Sequence, residues 1–252
     1  MQNPKSIAIT GASGGIGRAL ALHYARPGIT LGLNGRNQER LEKVSEICRD
    51  KGAEVVPGVV DVTDAPALGN WLRKVETHTP LDLVIANAGI SIGMDAGIPL
   101  EDMANQTFAV NVQGVMNTVH PAIDLMKPRA RGQIAIMSSL AGLLSLPSAP
   151  AYAASKASVR AYGEALRGLL APQGLEINVI CPGFVESDMT ARNNFPMPFL
   201  MSADKAARII AARLARNQGR IAFPWPLLAV IRTAVTLPAP LLDRLISRLP
   251  AK

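Results

Sequence analysis

Short apolar-rich runs alternate with longer amphipathic stretches along most of the chain. The runs are Ser6–Thr10, Thr30–Leu33, Glu54–Asp61, Leu81–Asn87, Gly132–Ser138, Leu175–Cys181 and Arg220–Phe223. Their length and bounding turn residues predict buried strands. Between them, helical spacing predicts a helix from the first glycine turn through Ala25 and others at Ala65–Thr77, Ala151–Leu170 and Ala203–Arg216. Leu100–Met126 reads as one long helix. Asn37 has the position of an N-cap, for a helix whose Leu41, Val44, Ile47 and Cys48 share one face. Strand–helix alternation implies right-handed crossovers and a parallel sheet covered on both faces. With no internal repeat or linker, residues 1–252 are expected to form a single doubly wound α/β domain.

The end of the chain breaks this rhythm. After Pro224-Trp225-Pro226 come two leucine-rich basic segments, Leu227–Leu237 and Leu241–Leu249, divided by Pro238 and Pro240. They make a C-terminal extension over about residues 224–252. Leu241, Leu242, Leu245 and Leu249 form a stripe beside Arg244, Arg248 and Lys252. Such a segment can lie on an anionic membrane surface, cover the protein's own cleft, or pack against another subunit.

Charge narrows the partners only a little. A net charge of +7 and a pI near 9.8 admit nucleic acid, a membrane surface or anionic small molecules. The basic residues are scattered and aromatics make up 4% of the chain, too few for a base-stacking platform, so no nucleic-acid partner is expected. Cys48 and Cys181, the two cysteines, suit buried reduced thiols better than a disulfide framework or zinc site, and no metal is expected. The first strand begins by Ser6, so a signal peptide is not expected. The uncharged stretch Gly132–Ser155 is broken by Pro147 and Pro150 and does not read as a membrane span. The expected location is the cytoplasm, with any membrane contact peripheral.

Candidate chemistry begins at the first strand–helix junction, Thr10-Gly11-Ala12-Ser13-Gly14-Gly15-Ile16-Gly17. Glycines there let a backbone approach a pyrophosphate, and the helix N-terminus offers unpaired N–H groups and the positive dipole end. Gly11-Ala12-Ser13-Gly14-Gly15 also matches the nucleophile elbow of serine hydrolases. That reading needs a loop histidine, whereas His23, His78 and His120 all fall in expected helices. The second strand ends Asn34-Gly35-Arg36-Asn37, without the carboxylate that holds the ribose of NAD. Arg36 can instead pair with a 2′-phosphate, with Gly35 leaving room; a merely solvated arginine is the alternative.

Tyr152-Ala153-Ala154-Ser155-Lys156 places a phenol and an ammonium one helical turn apart on the same face. The ammonium is expected to lower the phenol's pKa toward the working range, so that Tyr152 can give a proton to a carbonyl oxygen.

Taken in order, these motifs resemble the short-chain dehydrogenase/reductase family, from the first strand to about Ala222. The further marks are Asp61-Val62, Asn87-Ala88-Gly89, Asn111-Val112-Gln113-Gly114, Ser138-Ser139-Leu140-Ala141-Gly142 and Pro182-Gly183. The resemblance implies a Rossmann-type fold and an NADP(H)-dependent reaction on a carbonyl or alcohol. It implies that Ser139 binds the substrate oxygen, Tyr152 is the general acid/base, Lys156 binds the nicotinamide ribose and tunes Tyr152, and Asn111 holds a relay water. Gly11, Ser13, Gly15, Ile16, Gly17, Arg36 and Asn37 would then contact the phosphates and adenosine ribose, and Asp61 and Val62 the adenine. Asn87, Ala88 and Gly89 would line the cleft, and Pro182, Gly183 and Val185 would border the nicotinamide. Ser138 is expected to point back into the sheet.

Two departures stand out. The glycine turn carries no basic residue, so the NADP preference rests on Arg36; Ser187 stands where many relatives have threonine. Leu143, Leu144, Leu146, Pro147, Phe184 and Phe195–Met201 surround these motifs, with a substrate loop over about 184–202. They suit a hydrophobic carbonyl or alcohol, or else ordinary loop packing. By the same resemblance the long helices form a homodimer interface. A dinucleotide-binding regulator without chemistry is the competing function, against which the complete Asn111, Ser139, Tyr152 and Lys156 set argues.

Overall fold

The computed structural model describes residues 3–93 and 97–247. β1 (Ser6–Ile9), β2 (Thr30–Gly35), β3 (Glu54–Val59), β4 (Leu83–Ala86), β5 (Gly132–Met137), β6 (Leu175–Pro182) and β7 (Arg220–Phe223) form one parallel sheet in the order β3-β2-β1-β4-β5-β6-β7. The chain reverses direction across the sheet between β1 and β4. In a doubly wound sheet, ligands bind in the crevice at the strands' carboxyl ends there.

Helices cover both faces. One core gathers the inner sides of α1 (Gly15–Tyr24), α2 (Gln38–Asp50) and α8 (Ala203–Leu214) around Ile7, Ile9, Leu31 and Leu33. The other gathers α3 (Ala65–His78), α5 (Gly114–Met126) and α6 (Pro150–Leu170) around Ala8, Val84, Ile134 and Ile136. Alternate residues of β1 thus feed opposite cores, as strand geometry requires. This is the expected Rossmann-type α/β architecture.

The expected long helix is interrupted. α4 (Leu100–Phe108) and α5 are joined by a π-turn at Ala109–Gln113, centred on Asn111. β2 runs two residues further than its apolar run, through Asn34 and Gly35. Asn34 is buried there because its amide Nδ2 donates to the carbonyls of Gly58 and Val60. A short α7 (Asp188–Ala191) lies inside the segment expected as a substrate loop. The tail forms α9 (Trp225–Ala234) and α10 (Ala239–Ile246). Arg248, Leu249 and Lys252 lie outside the described residues. Among the described residues, no helix is long and apolar enough to cross a membrane.

Trp71 shows how side-chain size is matched across layers. A Cβ on Gly32 would lie 3.2 Å from its indole, and one on Gly58 only 2.4 Å away, so two strand glycines make the seat for one large ring. Trp71 Nε1 donates to the Val56 carbonyl at 3.3 Å. Trp71→Ala leaves that seat empty and is expected to cost about 3–5 kcal/mol of unfolding free energy, measured by urea denaturation followed by circular dichroism.

Candidate active site

The glycine turn is held by its neighbours' backbones. Gly11 and Gly15 have positive φ, +67° and +49°. A Cβ on Gly17 would lie 2.2 Å from the Gly11 carbonyl oxygen and 2.6 Å from Asn87 Nδ2, so α1 can start here only without a side chain. Asn87 Nδ2 donates to the carbonyls of Thr10 and Gly11. Thr10 Oγ1 in return accepts from the N–H groups of Asn87 (3.0 Å) and Ala88 (3.1 Å). The Ala12 N–H donates to the Asn34 carbonyl at 2.7 Å. Thr10, absent from the expected site residues, is thus the post that ties β1 to the Asn87–Gly89 segment. Its signal in the sequence is a hydroxyl residue closing an apolar strand just before the glycines.

The start of α1 fits a dinucleotide's pyrophosphate. Gly14 at its N-cap makes no side-chain cap, its first turn holds no acidic residue, and a Cβ on Gly14 would meet open space. Unpaired N–H groups facing open space at a positive dipole end favour an anion. A Cβ on Gly15 would lie 3.1 Å from Ser187 Cβ, so the segment after Pro182-Gly183 lies beside the glycine turn. Ser187 and Thr190 form a capping box that holds α7 in place, and Val185 bridges to Met201.

At the end of β2, Gly35 passes so close to Ser13 that a Cβ would lie 3.0 Å from its Oγ. Asn37 caps α2 by accepting from the Arg40 N–H at 2.8 Å. Arg36 is exposed and sits 3.6 Å from the Asp61 carboxylate. Burial pushes the Asp61 carboxyl up, but the Thr63 N–H and hydroxyl and the Arg36 guanidinium together hold it below its ordinary value. Val62 is buried under α5, where a Cβ on Gly114 would collide with it. Arg40 pairs with Asp188 at 2.5 Å, tying α2 to α7 across the cleft. Arg40 is absent from the expected site residues, and its partner lies 148 residues along the chain.

The second cluster gathers around the start of α6. Ser139 leaves β5 in extended conformation and caps the 3-10 turn Leu140–Leu143 by accepting from the Ala141 N–H. Ser138 does point inward, its Oγ donating to the Lys156 carbonyl at 2.8 Å. Lys156 is 3% exposed. Its Nζ donates to the Met137 carbonyl at 2.9 Å and lies 5.8 Å from the centre of the Tyr152 ring. Burial lowers the ammonium's pKa to about 8.

The Tyr152 phenol departs from expectation. Burial raises its pKa above the ordinary value, and the hydrogen bond with Ser139 only partly opposes this. The ammonium that was expected to lower it is instead directed at the Met137 carbonyl. Desolvation outweighs the charge at this distance.

Asn111 is fully buried. Its Oδ1 accepts from the Ile90 N–H, and its Nδ2 donates to the Ile90 carbonyl and to Ser155 Oγ. Ser155 Oγ donates to the Tyr152 carbonyl. A Cβ on Gly89 would lie 3.1 Å from Asn111 Oδ1 and 3.2 Å from Lys156 Nζ, so both polar ends face this glycine. Pro182 and Gly183 follow at the end of β6, with Ser139 Oγ 3.4 Å from the Pro182 carbonyl.

The leucine segment before Tyr152 lines a groove of its own. Leu143, Leu144, Leu146 and Pro147 line an apolar groove of about 480 Å³ with Ala153, Ala154, Ala157 and Ile246. Ala154 occupies the flank of α6 opposite Tyr152 and Lys156, with Ala153 and Ala157 at its edges, by the helix's 3.6-residue repeat. On the other segment, Phe184 and Phe195 stack edge to face with centroids 6.0 Å apart.

The hydrolase arrangement is not assembled. His78 pairs with Glu54 and His120 with Tyr162. His23 sits in the last turn of α1, about 12 Å along the helix from the glycine turn.

Asn111→Ala removes the three side-chain hydrogen bonds that join the Ile90 segment to α6. It is expected to lower unfolding free energy by about 1–3 kcal/mol, read from urea midpoints.

Sequence and structure comparisons agree with this fold. Residues 5–196 match the family model described as short chain dehydrogenase. An uncharacterized oxidoreductase of Myxococcus xanthus is 38% identical over 242 residues, covering 96% of each chain. The crystal structure of a 3-oxoacyl-[acyl-carrier protein] reductase from Brucella melitensis, with bound NAD, is 26% identical and superposes with a TM-score of 0.75, covering 86% of this chain and 88% of that one. In fold alone, a short chain dehydrogenase/reductase from Burkholderia phymatum in complex with NAD is similar over 99% of this chain and 97% of its own, with a TM-score of 0.84 at 24% identity. By the family match over three-quarters of its length, set on this sheet and this cluster, the chain belongs to the short-chain dehydrogenase family of oxidoreductases.

Proposed function

We propose that this oxidoreductase uses NADP(H) to reduce an apolar ketone or aldehyde, or runs the reverse oxidation. The observation that carries the reading is the gathering of Ser139, Tyr152 and buried Lys156 on the sheet whose α1 N-terminus is open and uncapped. Bound nicotinamide dinucleotide supplies or receives the hydride.

The residues that would hold the dinucleotide run along the carboxyl ends of the strands. Gly11, Ser13, Gly15, Ile16 and Gly17 suit the pyrophosphate, Arg36 and Asn37 the adenosine ribose, and Asp61 and Val62 the adenine. Asn87, Ala88, Gly89, Tyr152, Lys156, Pro182, Gly183 and Val185 suit the nicotinamide half. The case for NADP rests on the end of β2, where Asn34-Gly35-Arg36-Asn37 carries no acid. The exposed Arg36 guanidinium pairs with Asp61 at 3.6 Å, and with five N–H donors it has others to offer a phosphate.

In the direction of reduction, Ser139 Oγ donates to the substrate oxygen and Tyr152 Oη gives that oxygen its proton. Burial keeps the phenol protonated at neutral pH, which suits a proton donor. The phenolate left behind is stabilised by the Lys156 ammonium, a charge that the same burial makes titratable near neutrality. Asn111 acts by holding Ile90 and Ser155, and a relay water would sit where it and Lys156 converge on Gly89. The apolar rings of Phe184 and Phe195 beside the cleft favour a hydrophobic substrate.

A fluorescence titration tests the cofactor. Arg36→Ala is expected to weaken NADPH binding about 10- to 100-fold, the loss of one or two charge-assisted contacts, while NADH binding stays unchanged. Equal affinities that ignore the substitution would withdraw the NADP preference. Tyr152→Phe is expected to keep NADPH binding and to lose about 10²- to 10⁴-fold in turnover of an apolar ketone. Because Lys156 loses its proton as pH rises through about 8, the reduction rate is expected to decline above that pH; a pH–rate profile that stays level to pH 10 would contradict the lysine's part.

A further inference from the structure

We infer that the C-terminal helices α9 and α10 dock on an anionic lipid surface. The inference concerns a different part of the molecule from the reaction proposed above and holds whether or not that reaction is correct. Its first ground is exposure. Trp225, Val230, Val235, Leu237, Leu241 and Leu245 all stand in solvent, Trp225 at 76%. The two helices grip the body by their other sides. Ile231 packs with Leu140, Val179 and Cys181, Ile246 is buried, and Gly183 leaves just enough room for Pro224 and Leu227. The outward face is therefore what remains after the tail has already seated itself.

The second ground is charge. Trp225 and Arg232 are seven residues apart on α9, and Leu241, Arg244 and Leu245 share a side of α10 by three- and four-residue spacing, with both arginines exposed. From Pro224 to Lys252 the sequence holds Arg232, Arg244, Arg248 and Lys252 against the single acid Asp243. Apolar side chains interleaved with cations suit an interface where the stems and rings sink and the guanidinium groups meet phosphates. A two-fold contact between copies of this chain sets each patch against itself. That buries the same arginines twice, whereas interface cores are depleted of charge.

The place of the patch gives it a use. α9 sits on the turn that begins at Ser139 and against Gly183. A bilayer under the tail therefore lies close to the reaction centre, where an apolar substrate could pass between them without crossing bulk water.

The protein carries its own reporter. Of its two tryptophans, Trp71 is 5% exposed and packed under the sheet, so a change in indole emission on lipid contact comes from Trp225. The experiment adds the full chain to phosphatidylcholine vesicles with and without phosphatidylglycerol, at low and high salt, followed by flotation and emission spectra. The expected result is flotation and a blue shift with the anionic vesicles only, weakened about tenfold or more by high salt. Trp225→Phe should abolish the shift while the protein still floats. Leu241→Ser with Leu245→Ser, and separately Arg232→Glu with Arg244→Glu, should abolish flotation while leaving the circular dichroism spectrum intact. Absence of flotation at low salt overturns the inference. So does a solution mass showing a dimer that the paired serine substitutions convert to monomer, since the patch is then a subunit contact.

Discussion

The cofactor end of this protein depends on how closely two stretches of backbone can pass. α1 begins against the carbonyl of Gly11, at a distance that no side chain on Gly17 permits. Asn87 fills the remaining space and uses its amide to hold the turn, while Thr10 receives two N–H groups from the neighbouring segment. The close approach opens the helix N-terminus toward the strand ends, because a glycine cap cannot satisfy the first N–H groups with a side chain. Every proposed contact to the phosphates follows from it.

The proposed catalytic end depends on the opposite device, the burial of a charge. Lys156 is placed among apolar elements with the Met137 carbonyl as its hydrogen-bond partner. Burial weakens its hold on a proton and strengthens that of Tyr152. The two pKa values, close together for an ordinary lysine and tyrosine, thus move apart, the ammonium's downward and the phenol's upward. Their helix is anchored by Asn111, which reaches Ser155 from the π-turn, and by Ser138, which donates to the Lys156 carbonyl. A site built on one helix is therefore oriented by two other segments.

Between these ends, residues after Pro182 act as a strap. Ser187 lies against Gly15, and Asp188 reaches Arg40 on the far side of the cleft. The tail then continues the same cover, with α9 placed against Gly183. The glycine turn, α6 and the tail meet around one short piece of chain at the end of β6.

The alternation of apolar runs and amphipathic stretches determined the sheet, the helices on both faces and the place of the glycine turn, because those depend on periodicity and on residues without side chains. The ordered motifs marked Ser139, Tyr152, Lys156 and Asn111 as candidates. Tertiary structure decided what depends on distance between remote segments. The π-turn at Asn111 arises within a continuous helical pattern, so periodicity could not reveal it. Arg40 meets Asp188 only because α7 folds back over α2. The leucines before Tyr152 turn to the other flank of α6, and the tyrosine's pKa follows its desolvation rather than its neighbour four residues on. Sequence spacing fixes which residues share a face; burial and long-range contact determine what that face meets.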